Sequence, residues 1–245
     1  MASILSGAII AGTVAGTLGT GLGGIIIALV GRPRGRLLCF LLSFSAGVML
    51  SVIFQDLLPE AFRSAATPHT LLGIGLGGLA LAAAGRILAK HGTEVRGTKR
   101  LLQTGILIGL GIALHNLPEG LAIGAGYASG EKLGLSLAIA LALHDIPEGM
   151  AMAAPLLGAG QSRVKVVLWT IAAGLPTGLG AFLGGLFGYL SPAALALALG
   201  FAAGAMLFLV FHELLPQAQN LGFPGTASLG AFAGVLAGII ILLAV

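Results

Sequence analysis

The sequence predicts an all-α membrane protein with eight transmembrane helices, an inverted repeat of three, two and three helices, and both termini on the extracytoplasmic side. Of its 245 residues, 57% are hydrophobic and only 8% are charged. Soluble domains carry about 25% charged residues, so this chain has too few to cover a water-exposed surface. Most of its length lies in apolar segments of about 20 residues or more, which is the length an α-helix needs to cross a bilayer.

Turn-forming and charged residues mark where each apolar segment ends. The predicted helices cover residues 2–30, 37–62, 70–90, 101–128, 132–158, 164–190, 192–218 and 226–245. The links between them are the basic turn 31–36, the Thr-Pro pair 67–68, the polar stretch 90–100, and short turns at 129–132, 161–163, 191–192 and 220–225. No basic stretch precedes the first helix, so we expect it to be retained rather than cleaved as a signal peptide. No link is long enough for a soluble domain, and residues 1–245 are therefore expected to form one transmembrane domain.

The distribution of Lys and Arg predicts how the chain is oriented. Arg63 and Lys132 are the only basic residues in or near the second, fourth and sixth links. The other ten lie in or near the first, third and fifth links: Arg32, Arg34, Arg36, Arg86, Lys90, Arg96, Lys99, Arg100, Arg163 and Lys165. Basic residues concentrate on the cytoplasmic side of a membrane, so both termini are predicted to face outward. Their position at helix ends also favours a lipid bilayer, and not nucleic acid, as the partner.

Two helices in opposite halves of the chain share a sequence. Residues 44–61 read FSAGVMLSVIFQDLLPEA and residues 201–218 read FAAGAMLFLVFHELLPQA, with ten of eighteen positions identical. The second and seventh helices cross the membrane in opposite directions. We therefore infer a pseudo-two-fold axis in the membrane plane, which relates helices 1–3 to helices 6–8 and helix 4 to helix 5. Inverted repeats of this kind are typical of secondary transporters.

A doubled polar motif lies within helices 4 and 5. Residues 115–120 read His-Asn-Leu-Pro-Glu-Gly and residues 144–149 read His-Asp-Ile-Pro-Glu-Gly. In each copy the His and the Glu are four residues apart and share a helix face near mid-membrane. Ionisable side chains at that depth cost several kcal/mol unless they are paired or bind something. Each proline also leaves a backbone carbonyl without its helical donor, so a local disturbance is expected beside each acidic cluster.

The donors of this motif favour a metal site. Together they offer two imidazoles, three carboxylates and one amide: His115, Asn116, Glu119, His144, Asp145 and Glu148. Such a nitrogen and oxygen set suits Zn²⁺, Fe²⁺, Mn²⁺, Co²⁺ or Cd²⁺, and the two glutamates could bridge two ions. The single cysteine, Cys39, excludes an intrachain disulfide and a Cys-rich site. One His–Glu pair alone could be a structural hydrogen bond, but two copies in register favour the metal, and no resident cofactor is indicated.

Other polar and sulfur-containing residues allow two interpretations. Asp56, Glu60, His212 and Glu213 lie toward the ends of helices 2 and 7, either at the membrane interface or in a vestibule that feeds or drains the central site. Met49 and Met206 are more often packing residues, although Met49 could add a thioether ligand. His69 and His91 are expected in solvated loops.

These motifs resemble those of the ZIP family of divalent metal transporters, in particular its bacterial and GufA-like branch, over nearly the whole chain. The resemblance implies a homodimer in the cell inner membrane and uptake of metal through a binuclear site. It implies the six donors named above as ligands, with Met49 as an extra one and with His212 and Glu213 in the pathway. It further implies an elevator-like motion of helices 1, 4, 5 and 6, as transport bundle, against helices 2, 3, 7 and 8, as scaffold.

One departure concerns the second metal position. Many relatives carry a glutamate in helix 6, where this chain has Gly174-Leu175-Pro176-Thr177-Gly178, with Thr177 at about the glutamate position. The resemblance therefore implies a weaker second metal position, with Thr177 beside the pathway.

The sequence thus favours uptake of divalent transition metals, zinc first, by alternating access, and not an enzyme. An intramembrane metal-dependent hydrolase is the first alternative, because two metals with bridging carboxylates can activate water. The chain has no His-Glu-x-x-His motif, which argues against that reading. A metal exporter is the second alternative, since the same site can serve either direction. No phosphate-binding loop occurs in the chain, so ATP is not expected to drive transport directly.

Overall fold

A computed structural model describes residues 2–31, 35–89 and 98–244, and within these ranges the chain forms eight helices and no β-strand. The helices are α1 (Ala2–Val30), α2 (Gly35–Ser64), α3 (Thr67–Ala89), α4 (Thr98–Ser129), α5 (Glu131–Gly158), α6 (Arg163–Leu190), α7 (Pro192–Asn220) and α8 (Pro224–Ala244). The ends predicted from the sequence agree with these to within three residues.

The helices have the length and composition of membrane spans. Over the described residues, seven of them are long and apolar enough to cross a bilayer, and α3 has a shorter apolar stretch, Thr67–Ala83. On α8, exposed Leu229, Phe232, Leu236 and Ile240 recur every three or four residues, which places them on one helix face suited to lipid. The chain is a multi-pass membrane protein, while the count of eight crossings and the outward termini stay predictions.

Short sequence signals begin and end these helices. The hydroxyl of Ser162 accepts a hydrogen bond from the Lys165 backbone N–H, and that of Ser191 from the Ala194 N–H, so each serine caps the start of its helix. Gly31, Gly160 and Gly222 follow α1, α5 and α7 with φ of 88°, 81° and 83°. Glycine tolerates this left-handed conformation at helix ends without a steric penalty.

The helical irregularities lie in α2 and α7. A π-helical turn occupies Ile53–Leu57 in α2 and another occupies Val210–Leu214 in α7. Each is followed by a proline in a Leu-Leu-Pro sequence, Pro59 and Pro216. By contrast, α4 and α5 remain helical through the prolines of the doubled motif. The disturbance expected at those prolines therefore does not end or interrupt either helix.

The two π turns fall at equivalent positions of the sequence repeat. Aligning residues 44–61 with 201–218 shifts the chain by 157 residues, and this shift carries Ile53–Leu57 onto Val210–Leu214. It also carries the first residues of α2 and α3 onto the first residues of α7 and α8. The π turns are thus a property of the repeat unit.

The repeat extends to α1 and α6. Residues 20–23 read Thr-Gly-Leu-Gly and recur, at the same shift, as residues 177–180. Helix packing follows the same symmetry: α2 packs on α8 as α7 packs on α3, and α1 packs on α5 as α6 packs on α4. The repeat is therefore visible in both the sequence and the helix contacts.

Glycine determines how closely these helices approach. A Cβ atom at Gly47 of α2 would collide with the backbone of α8 at Ala231, and one at its counterpart Gly204 of α7 would collide with the backbone of α3 at Ile74. In lipid, helix association depends on such close van der Waals packing, because lipid tails are as apolar as the side chains. These glycines therefore lie in the contact surfaces between neighbouring helices.

A matched pair of glycines on α3 tests this. Gly77 packs against the Phe201 backbone, whereas a Cβ at Gly75 would meet open space. We expect Gly77→Ala to lower the thermal unfolding midpoint in detergent by about 2–10 °C, because the added methyl separates α3 from α7. Gly75→Ala should leave the midpoint unchanged or slightly raised, since alanine favours helix. Equal midpoints for the two variants would contradict the packing argument.

Candidate metal centre

The two copies of the doubled motif meet where α4 packs against α5. Glu119 comes from α4, and His144, Asp145 and Glu148 come from α5. Each of the four offers one donor atom, and these four atoms all lie within 4.8 Å of one another. Glu119 thus shares one small volume with three residues that follow it by 25 or more positions in the sequence.

The distances within this cluster suit a single ion. The His144 Nε2 atom lies 3.0 Å from Glu119 Oε1 and 3.4 Å from Asp145 Oδ1. Two ligands bound to one zinc at about 2.0–2.2 Å are about 3.3–4.4 Å apart, depending on the angle between them. The 3.4 Å separation lies within this range, the 3.0 Å separation is slightly below it and the outer limit of 4.8 Å is slightly above it, so small shifts of the side chains would let the cluster surround an ion.

Burial makes a cation at this position favourable. Glu119 and His144 are 0% exposed, Asp145 is 1% exposed and Glu148 is 2% exposed. Among the described residues, neither carboxylate oxygen of Asp145 has a hydrogen-bond partner, and nor does His144 Nδ1. Buried charged groups are usually paired or coordinate metals. Three carboxylates this close repel one another, and a divalent ion would offset that repulsion.

Helix α6 orients a further donor. The Asn116 side chain donates from Nδ2 to the Ala173 carbonyl at 2.8 Å. Its other polar atom, Oδ1, is buried and has no hydrogen-bond partner among the described residues. The amide is therefore fixed with its oxygen left as an acceptor, which is the form in which an asparagine binds a metal.

The motif glycines bring α1 and α6 close to the ligands. A Cβ at Gly120 would collide with the backbone of Thr177 in α6, and one at Gly149 would collide with the backbone of Thr20 in α1. Thr20 and Thr177 are themselves equivalent positions of the repeat. Each glycine thus seats the helix turn that carries Glu119 or Glu148 against a neighbouring backbone.

Helix α2 reaches the site through a serine. Ser45 is fully buried, and its hydroxyl donates to the His144 carbonyl at 3.0 Å. Met49 is also fully buried and lies one helical turn further along the same face of α2. This places the Met49 side chain on the side of α2 that faces α5. Met206, its counterpart in α7, is buried in the same apolar core.

Comparison with known proteins decides the family. Residues 87–245, which contain both copies of the motif, match the family model described as ZIP Zinc transporter. The chain belongs to the ZIP family.

Curated relatives cover this ZIP chain nearly end to end. The zinc transporter ZupT of Akkermansia muciniphila is 37% identical over an alignment that covers 94% of each chain. ZupT of Corynebacterium glutamicum is 38% identical, covering 89% of this chain and 91% of its own, and ZupT of Escherichia coli O127:H6 is 35% identical, covering 91% of each. The family expected from the motifs is confirmed, and it is a family of transporters rather than enzymes.

Other predicted site residues are not members of the four-residue cluster. Asp56 is half-buried in the π turn of α2, and His212 is exposed in the π turn of α7, where its ring lies 4.8 Å from that of Phe208. Glu60 accepts a hydrogen bond from the Ser129 hydroxyl at the far end of α4. Thr177 is fully buried, with its side chain against Gly16 of α1. The side chains of His115 and Glu213, and all of His91, fall outside the described residues.

Two features of the ZIP site were not anticipated from the motifs. Ser45 and Thr20 are unremarkable as single residues in a small-residue-rich helix, and their positions depend on how α2 and α1 pack against α5. The repeated Thr-Gly-Leu-Gly sequence was the signal that could have identified Thr20 and Thr177 as equivalent. Ser45 has no such signal, because alanine stands at its repeat position, Ala202.

Charge repulsion among the ligands leads to a stability prediction. In metal-free buffer, we expect Asp145→Asn to raise the thermal unfolding midpoint, because one of three clustered carboxylates is neutralised. The same variant should show a smaller rise in midpoint with saturating Zn²⁺, because each tenfold loss of affinity removes about 1.4 kcal/mol from the unfolding free energy that binding adds. Glu131→Gln, at the exposed start of the same helix, is the matched control and should behave as wild type. A wild-type response to zinc from Asp145→Asn would contradict the site.

Proposed function

We propose that this ZIP protein carries divalent transition-metal ions, zinc first, into the cytoplasm through the site formed by Glu119, His144, Asp145 and Glu148. One observation carries the proposal: an imidazole and three carboxylates are fully buried within 4.8 Å of one another. The family supports transport of metal ions, and the matched relatives are named zinc transporters. With oxygen and nitrogen donors and no thiolate, the site suits release as well as capture.

Further ligands complete the proposed site. Asn116 would contribute its unpartnered Oδ1, and Met49 a thioether from α2. His115 belongs to the proposal because it is the repeat counterpart of His144. We infer a second, weaker metal position beside Asn116 and Asp145, where Thr177 supplies a neutral hydroxyl. Fe²⁺, Mn²⁺, Co²⁺ and Cd²⁺ accept similar donors and are proposed as lesser substrates.

Alternating access by two groups of helices is the proposed mechanism. We call α1, α4, α5 and α6 the ligand bundle, and α2, α3, α7 and α8 the wall. In the described chain, the glycine contacts with helix backbones join helices within the bundle, α2 to α8, or α3 to α7. Close backbone packing throughout the bundle and within each helix pair of the wall, with no such glycine contact between bundle and wall among the described residues, favours movement of the bundle as a unit against the wall.

The two π turns supply the proposed path to and from the site. Asp56 and Glu60 lie at the end of α2 that the charge distribution places outside, and His212 and Glu213 lie at the end of α7 that it places inside. π turns are often found at functional sites, because they present side chains that a regular helix would turn away. We propose that metal enters past the first pair and leaves past the second.

Direction, location and assembly follow from the orientation and the family resemblance. Outward termini, uptake rather than export, the cell inner membrane and a homodimer are all part of the proposal. A transporter oriented in vesicles would separate uptake from export, since an exporter would move metal from the opposite face under the same gradient.

Flux of radioactive zinc into proteoliposomes tests the proposal. We expect Glu119→Gln and Glu148→Gln each to reduce ⁶⁵Zn²⁺ uptake about a hundredfold or more, because each variant removes a carboxylate from the ion. Glu131→Gln should retain wild-type uptake. If both motif variants transported zinc normally, the site would be wrong. If the wild-type protein moved no tested metal, the function would be wrong.

A further inference from the structure

Two hydrogen bonds tie the wall helix α2 to the ligand bundle. Ser45 donates to the His144 carbonyl in α5 at 3.0 Å, at the level of the metal site. At the end of α2, Glu60 accepts from the Ser129 hydroxyl of α4. The first bond is fully buried, whereas the second is exposed. Both therefore join the two groups of helices that alternating access must separate.

The repeat does not reproduce either bond in its other half. The 157-residue shift carries Ser45 onto Ala202 of α7, and the alignment of the doubled motif carries Ser129 onto Gly158 of α5. Neither alanine nor glycine has a hydroxyl to donate. The two hydroxyl donors thus occur in one half of the repeat only, at Ser45 and Ser129.

This asymmetry bears on the two states of the carrier. In a carrier built from inverted repeats, the second transport state arises when the two repeats exchange conformations. Helix α7 would then contact α4 in the way that α2 contacts α5 in this structure. A hydrogen bond is lost when donor and acceptor separate beyond about 3.5 Å. A displacement of one helical turn, about 5.4 Å, would break both bonds. The second state has no hydroxyl to form the equivalent pair.

We propose that Ser45 and Ser129 form an asymmetric latch that favours the state in which the mouth beside Ser129 is closed. Ser45 acts in it as a positioning residue, since it holds the backbone of the ligand His144 against α2. The charge distribution places this mouth outside, so the metal-free carrier rests open to the cytoplasm. This inference rests on the proposed function, because it presumes two alternating states.

Spin-label distance measurements across that mouth test the latch. Arg63 lies near the end of α2 and Glu131 at the start of α5, just after α4, and both are exposed. Labels at Arg63→Cys and Glu131→Cys therefore report the opening of this mouth. The buried Cys39 is replaced by alanine to keep labelling specific. In the metal-free protein, we expect one predominant short distance. Ser45→Ala should raise the ratio of the long-distance to the short-distance population about two- to tenfold, as expected for loss of one buried hydrogen bond. Ser129→Ala should raise it less.

Ser51→Ala is the matched control. Ser51 is a buried serine on the same helix, but it donates to Val235 of α8, within the wall. The Ser51→Ala variant should leave the distribution of spin-label distances unchanged. Unchanged populations in Ser45→Ala, or an equal shift in Ser51→Ala, would overturn the latch. Zinc flux measured on the same proteins keeps this failure separate from failure of the function: a latch-free carrier would still transport zinc, whereas a protein that is not a metal carrier would not.

Discussion

The structure depends on one electrostatic constraint: three carboxylates and an imidazole are held together where water is excluded. Glu119, Asp145 and Glu148 surround His144, and all four are at most 2% exposed. Without a counter-charge such a cluster repels itself and loses its hydration. In the proposed function, a divalent cation would supply the missing charge, and the lack of thiolate donors would keep the ion releasable. The site would then be less stable when empty than when loaded, which suits a protein that must bind and then release its cargo.

The fold meets this constraint through glycine and through the repeat. Gly120 and Gly149 follow the two motif glutamates and seat their helix turns against the backbones of α6 and α1. The repeat places equivalent threonines, Thr177 and Thr20, at the two contacts. Close backbone packing thus joins α4, α5, α6 and α1 to one another, whereas no described glycine packs α2 against a backbone of these helices. In the proposed mechanism, this difference would allow a precise metal site to coexist with movement between the two groups of helices.

Much of the fold and of the candidate site could be predicted from the sequence, because a chain that crosses a bilayer as helices needs apolar segments of about 20 residues. Helix ends were accurate where Pro, Gly and charged residues interrupt apolar runs, and the doubled motif contains the four residues that the structure brings together. The π turns were not predicted, since local sequence gives no direct signal for one extra residue in a helical turn. Ser45 was not predicted because its role arises from contact with α5, whereas the repeated Thr-Gly-Leu-Gly sequence could have identified Thr20 and Thr177 as equivalent.

The central claim is that the cluster around His144 binds the transported ion. Anomalous X-ray diffraction from crystals grown with saturating Zn²⁺, recorded on both sides of the zinc absorption edge, tests it most directly. We predict an anomalous peak at about 2.0–2.3 Å from donor atoms of Glu119, His144 and Glu148. Bound zinc that produced a peak elsewhere in the membrane region and none among these residues would contradict it.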